Sequence, residues 1–151
     1  MNTKVMFSSK SNEWETPQDL FNRLDSTYNF NLDPASTDEN AKCDNHYTIK
    51  DDGLSQPWGG YRVFCNPPYG REISKWVEKA YRESFKPNTL IVMLLPARVD
   101  TRWFHDYCMK GKIEFIRGRL KFGDSKNSAP FPSMIVVFDN ANRSDSTSIN
   151  C

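Results

Sequence analysis

Little in this chain points to a metal centre, a disulfide framework or a membrane anchor. Its four cysteines, Cys43, Cys65, Cys108 and Cys151, are scattered and form no Cys-x-x-Cys pair. The two histidines, His46 and His105, stand at no ligand spacing from a cysteine, which argues against a structural zinc site. Cys65 lies in an apolar run and reads as a reduced core residue. The net charge is only +1, so the chain is not basic throughout; a cationic nucleic-acid surface would need charges gathered on one side. No signal peptide, lipidation motif, long apolar span or internal repeat is visible, and the expectation is a soluble, cytoplasmic protein.

What is present suits one packed domain: 151 residues, 38% hydrophobic and 13% aromatic. Residues 1–13 are polar and aperiodic, a loose arm, and residues 139–151 read as a polar, disordered tail. Thr16 and Pro17 start a helix, with Thr16 as cap and Pro17 in the first helical position, followed by Leu20, Phe21 and Leu24 on one face. Residues 29–33 alternate as a short strand that ends at Asp33-Pro34-Ala35. Helical spacing recurs at Ile73, Trp76, Val77, Ala80 and Tyr81. Residues 89–95 form a continuous apolar run, the best candidate for a central parallel strand. A capped helix follows at 100–103. Residues 112–122 and 132–138 read as two strands joined by a loop too short for a helical crossover, hence antiparallel. In the first of these, Arg117, Arg119 and Lys121 alternate with Gly118, Leu120 and Phe122, which suits phosphate contact or a plain exposed face. Trp58 reads as a packing anchor.

The most informative stretch is Val63-Phe64-Cys65-Asn66-Pro67-Pro68-Tyr69-Gly70. An apolar strand stops at two prolines, which cannot continue a sheet ladder. A polar Asn66 and an aromatic Tyr69 are thereby held at a strand's carboxyl end, where open α/β sheets bind ligands. The amide oxygen of Asn66 and the carbonyl of Pro67 can accept both N–H bonds of a planar amine while a ring lies beside it.

Asn66-Pro67-Pro68-Tyr69 resembles the catalytic motif of amino-group methyltransferases, and the wider chain is similar to the phage-type Dam family of N6-adenine DNA methyltransferases. The resemblance runs in order through Trp14-Glu15-Thr16-Pro17, Leu32-Asp33-Pro34-Ala35-Ser36, Asp52-Gly53-Leu54, Trp58, the motif itself, Leu95-Pro96-Ala97-Arg98 and Arg117-Gly118-Arg119-Leu120. It implies a compact α/β, Rossmann-like methyltransferase fold over residues 14–138, mostly parallel, with an antiparallel terminal hairpin. It implies S-adenosylmethionine as cofactor and duplex DNA as partner, with an adenine flipped out for methylation at N6, and a place in phage DNA modification of the restriction-modification kind. It implies catalytic roles for Asn66, Pro67, Pro68 and Tyr69, with Tyr69 stacking on the base. Cofactor contacts would fall to Thr16, Pro17, Asp33, Pro34, Ala35, Asp52 and Asn66, and DNA contacts to Arg117, Arg119 and Lys121. Asp52 is preferred to Asp51 because it directly precedes Gly53-Leu54, although two adjacent acids also suit a solvated turn. One departure stands out. Larger relatives carry a Gly-rich turn after the first strand, whereas this chain has Ser36-Thr37-Asp38-Glu39-Asn40. Two other readings fit the motif: methylation of a protein glutamine or of cytosine N4, and a non-catalytic DNA-binding relative.

Overall fold

The computed structural model describes residues 14–123 and 127–140. The arm read over 1–13 lies outside them, as does the tail beyond Asn140. Among the described residues the fold is a mixed four-stranded sheet with three α-helices: α1 (Gln18–Tyr28), β1 (Arg62–Cys65), α2 (Ile73–Glu83), β2 (Leu90–Pro96), α3 (Arg102–Asp106), β3 (Lys112–Phe115) and β4 (Ser133–Asp139). The spatial order is β1-β2-β4-β3.

The apolar run is the central strand, as its composition requires. β2 is hydrogen-bonded on both sides, and Ile91, Val92, Met93, Leu94 and Leu95 are all fully buried. It runs parallel to β1 through the α2 crossover and antiparallel to β4. β3 pairs antiparallel with β4 at the edge. The sheet is therefore mixed rather than mostly parallel in its named strands.

Register assigns the helices to opposite faces. Phe64, Val92 and Val137 stand side by side, and the Phe21 ring of α1 meets Phe64 at 5.2 Å. One residue along, Val63, Ile91 and Phe138 share the other face, where Tyr81 of α2 meets Phe138 at 5.9 Å. Alternation of side chains along a strand makes these two faces distinct.

Three boundaries differ from the sequence reading, each for a local reason. Pro17 is itself the N-cap of α1, with φ −57° and ψ 132°, and Thr16 makes no capping bond. The strand expected over 29–33 shrinks to single bridges, Leu32 to Val63 and Asp33 to His46, both parallel; Pro34 stops it. The strand expected over 112–122 ends at Phe115, and Gly118 turns the chain at φ +77°. Arg117, Arg119 and Lys121 therefore sit on a loop and do not alternate along a sheet face. That loop is pinned by the buried side chains of Phe122, Ala129 and Phe131 and by a bond from the Ala129 amide to the Leu120 carbonyl at 2.8 Å.

Trp58 is wholly buried, donates its indole N–H to the Gly53 carbonyl at 2.9 Å, and stacks on Trp76 of α2 at 6.0 Å. Gly53 is pressed so closely against the neighbouring chain that a Cβ there would stand 2.2 Å from the Pro34 carbonyl oxygen and 3.0 Å from the Trp76 ring. Gly53→Ala must push this backbone contact apart. Urea unfolding of Gly53→Ala is expected to register a loss of about 2–3 kcal/mol, the scale of overpacking a filled interior.

Candidate active site

A cavity of about 390 Å³ opens beside the carboxyl end of β1. This is the position at which α/β sheets take ligands, and the volume lies in the range of small-molecule sites. Its walls come from the strap at 14–16, the loop after Asp33, the turn at 47–53 and the motif at the end of β1. Of the residues read from sequence, Thr16, Asp33, Pro34, Ala35, Asp52, Asn66, Pro67 and Pro68 line it, while Pro17 and Tyr69 do not.

Asn66 leaves β1 as an extended residue, and the two prolines after it stop the ladder. Its amide nitrogen donates to the Trp14 carbonyl and, at 2.9 Å, to the Thr16 hydroxyl. Because the Trp14 carbonyl can only accept, it fixes which end of the amide is nitrogen. The oxygen, Oδ1, is closed off from solvent and has no hydrogen-bond partner among the described residues. A buried acceptor without a donor is costly, about 1–3 kcal/mol, and such groups mark functional positions.

Tyr69 takes a different place from the one its motif suggests. It is only 4% exposed, its hydroxyl donates to the Leu94 carbonyl at 3.2 Å, and its ring meets the edges of Phe122 and Phe131 at 6.4 and 5.6 Å. Burial pushes its phenol far above the ordinary value, with the nearby Arg98 pulling the other way. The flat face expected to meet a base is covered here by the chain's own aromatics. Trp14 completes the group, packing edgewise on both phenylalanines.

The glycine-free turn is organised by side chains. The Asp33 carboxylate accepts from the amides of Ala35 at 3.3 Å and Lys42 at 2.9 Å, tying both ends of the loop to one buried group. Thr37 and Asn40 cap each other, with bonds of 2.7 and 3.1 Å. Burial raises the pKa of Asp33, and the Lys42 and Ala35 amides draw it partly back. Asp33 is thus engaged by its own loop. Asp51 likewise closes a turn, accepting from the Thr48 amide at 2.8 Å. Asp52 differs: it lines the cavity, adopts a left-handed φ of 58°, and its carboxylate makes no hydrogen bond among the described residues.

Burial pushes the thiols of Cys43 and Cys108 up to about 12, and raises that of Cys65 well above its usual value. None of these three supplies a thiolate nucleophile at neutral pH. Among the described residues no cluster of three or more His, Cys, Asp or Glu side chains could hold a metal, and no helix is long and apolar enough to cross a membrane.

The strand ends carry cations beyond the three read as DNA contacts, Arg98 from the resemblance and, unremarked in the sequence, Arg71 and Arg102. Arg71 follows the motif, and Arg98 and Arg102 follow β2; none of their side chains has an ion pair or hydrogen bond among the described residues. Among the described residues Arg117 and Lys121 also stand exposed with no ion pair or hydrogen bond from their side chains, whereas Arg119 donates to the Ala129 carbonyl at 3.4 Å. Several other cations are matched: Arg23 with Glu114, Arg82 with Glu78, Lys79 and Lys86 with Glu83. The missed signal is positional, since Arg71, like Arg98, lies within a few residues of a strand's carboxyl end. The cavity-lining turn at Thr48, Ile49 and Lys50 was also missed; Ile49 is 93% exposed, an isolated apolar residue in a polar stretch.

A family model described as DNA N-6-adenine-methyltransferase (Dam) matches residues 3–150. The DNA N-6-adenine-methyltransferase of Haemophilus phage HP1 (strain HP1c1) is 30% identical over 148 residues, covering 91% of this chain and 83% of that protein. The DNA N-6-adenine-methyltransferase of Escherichia phage T1 is 30% identical over 146 residues, covering 78% of this chain and 60% of that protein. A putative methyltransferase, YfdM, of Escherichia coli (strain K12) is 33% identical over 64 residues, 38% of this chain and 70% of that protein.

The Asp33 arrangement is directly testable. In Asp33→Ala, amide exchange at Ala35 and Lys42 is expected to accelerate by about tenfold or more, the worth of one lost hydrogen bond, with β2 amides unchanged. Exchange measured residue by residue checks this; unaltered rates at both amides would show that the carboxylate does not hold the loop.

Proposed function

The chain belongs to the Dam family of DNA N-6-adenine-methyltransferases, and on that basis we propose that it transfers a methyl group from S-adenosylmethionine to the N6 amine of an adenine flipped out of duplex DNA. The observation that carries this reading is the Asn66 amide, with both protons engaged and its oxygen left as a lone acceptor.

The cavity residues suit the cofactor. The 390 Å³ space between the loop after Asp33 and the motif is lined by carboxylates without hydrogen-bond partners among the described residues, Asp52 among them, so a ligand with hydroxyls or an amine finds acceptors there. Asp52 would take a hydroxyl or amine of the cofactor, with Pro34, Ala35 and Thr16 forming wall, and Asp33 would act by holding that wall. When bound, S-adenosylmethionine supplies an electrophilic methyl carbon on a sulfonium.

The chain's own part is to prepare the amine. The exocyclic nitrogen of adenine is a poor nucleophile because its lone pair delocalises into the ring. Asn66 Oδ1 accepts one N–H, and the Pro67 carbonyl is the second acceptor in the motif. Accepting both favours a pyramidal nitrogen with its lone pair free. This is positioning and electrostatic stabilisation, and it needs no covalent enzyme intermediate. Flipping the base costs a few kcal/mol. Oδ1 is masked in this conformation, so an incoming amine reaches it only as the side chains covering it give way. Stacking on Tyr69 likewise asks Phe122 or Phe131 to yield an edge.

The Rossmann-like arrangement is part of the proposal. The two parallel bridges, at Leu32 and Asp33, extend the parallel side of the sheet beyond β1. They support a sheet of wider strand order in which the outer strands have dwindled to single pairs, within a methyltransferase domain over 14–138. Duplex DNA would meet the carboxyl-end rim, where Arg71, Arg98, Arg102, Arg117 and Lys121 lack acidic partners among the described residues.

Asn66→Ala is expected to cut turnover on an adenine duplex by about a hundredfold or more, on the scale of one preorganised polar group. Cofactor affinity by calorimetry should change far less. Near-normal turnover would remove Asn66 from catalysis. For the rim, Arg98→Glu and Lys121→Glu should each weaken binding to duplexes of any sequence and lower the salt slope by about one phosphate contact. A change in stability alone would leave these as ordinary surface cations.

A further inference from the structure

On the reading just given, in which Asn66 accepts from the target amine, we propose that Thr16 is a positioning residue. With the Trp14 carbonyl, its hydroxyl oxygen sets the polarity of the Asn66 amide. A carboxamide has one accepting and one donating end of nearly the same shape, and nothing in its own sterics chooses between them. Here the choice is made outside it. Nδ2 carries two protons, and two acceptors meet them: the Trp14 carbonyl and Thr16 Oγ1, the latter at 2.9 Å. A reversed amide would set Oδ1 against the Trp14 carbonyl, lone pair to lone pair, and would present N–H groups to an amine that must itself donate.

Thr16 can serve in this way because it is held on both sides. It is 6% exposed. Immediately after it, Pro17 caps α1 and its carbonyl accepts from the Phe21 amide at 3.1 Å. Immediately before it, the Glu15 carbonyl accepts from the Gly123 amide at 2.8 Å, and the Trp14 ring is seated between Phe122 and Phe131. The strap is thus fastened to a helix start at one end and to the loop between β3 and β4 at the other. The Thr16 hydroxyl makes no bond into α1, so its oxygen is free for Asn66. This role differs from the one its motif suggests, a contact to the cofactor.

The same geometry makes the site selective for an amide at position 66. A carboxylate there has no proton for the Trp14 carbonyl. The Thr16 hydroxyl could rotate to donate to it, but the Trp14 carbonyl could not, and one oxygen would face another.

The test uses the full chain with Thr16→Val, Thr16→Ser and Asn66→Asp, assayed on an adenine duplex with saturating S-adenosylmethionine. Thr16→Val should lower kcat about tenfold while KM for cofactor and for DNA stay within about twofold, and the protein should stay folded with its melting temperature lowered by only a few degrees, since one hydrogen bond and no packing volume is lost. Thr16→Ser, which keeps the oxygen, should recover kcat to within about threefold. Asn66→Asp should fall about a hundredfold or more. A second readout does not depend on turnover. In isotope-labelled protein the Asn66 side-chain amide protons should exchange slowly with water, and Thr16→Val should speed that exchange. A raised cofactor KM with unchanged kcat in Thr16→Val would make Thr16 a cofactor contact and overturn the proposal. So would near-normal turnover in Asn66→Asp, or amide exchange indifferent to Thr16→Val. If the wild-type chain methylates no adenine, the functional reading fails, and the exchange experiment still decides whether Thr16 orients the amide.

Discussion

The Asn66 amide spends both of its protons on the chain that precedes it, at the Trp14 carbonyl and the Thr16 hydroxyl. Once those bonds exist, the remaining oxygen can do only one thing, which is accept. Much of the architecture around the cavity serves that constraint. β1 and its two prolines bring the amide to the sheet's end. α1 begins where it must to hold Thr16. The loop between β3 and β4 grips Glu15 and Trp14, so an edge hairpin distant in sequence fastens the strap. A dry acceptor with fixed direction interacts more strongly than one in water, which is the advantage of leaving it unpaired until a donor arrives.

The opposite wall of the cavity meets a different difficulty. A turn without glycine cannot bring bare backbone close to a ligand as a glycine-rich one can. Here the turn is instead tied down: Asp33 collects the amides at both ends of the loop, and Thr37 and Asn40 close its middle. The closest backbone approach moves to Gly53, which abuts the Pro34 carbonyl. The wall is rigid through side-chain hydrogen bonds in one segment and through a single glycine contact in another. Asp33, buried, spends one bond from each carboxylate oxygen on its own loop.

Features encoded by neighbouring residues were legible in the sequence. Five consecutive apolar side chains place β2 at the centre, and two prolines after an apolar strand place Asn66 at its end. Features that depend on distant partners were not. The burial of Tyr69 requires Phe122 and Phe131, which belong to the far hairpin loop, so the motif alone suggests an open ring. The bonds from Asn66 to residues 14 and 16 likewise join segments that no periodicity connects. The bonds from Asp33 to its own loop were hidden for a related reason: its location was clear, but which amides its carboxylate meets depends on how the next nine residues fold back. The extended hairpin failed at Gly118, where a single left-handed residue outweighs an alternating pattern.

The strand order carries a further consequence. β4, the last described strand, is not at the margin but inserted between β2 and β3. Until residues 133–139 have been synthesised, the most apolar strand of the protein has one edge open, and β3 has no neighbour at all. While residues 97–132 are being added, the nascent chain therefore carries an exposed, hydrophobic, hydrogen-bond-hungry edge, the kind of surface that invites pairing with another chain. Sheet closure depends on pairings of large sequence separation, a topology associated with slow folding. Because the strap is fastened to the loop that precedes β4, the bonds that orient the amide at position 66 wait on residues far downstream of it.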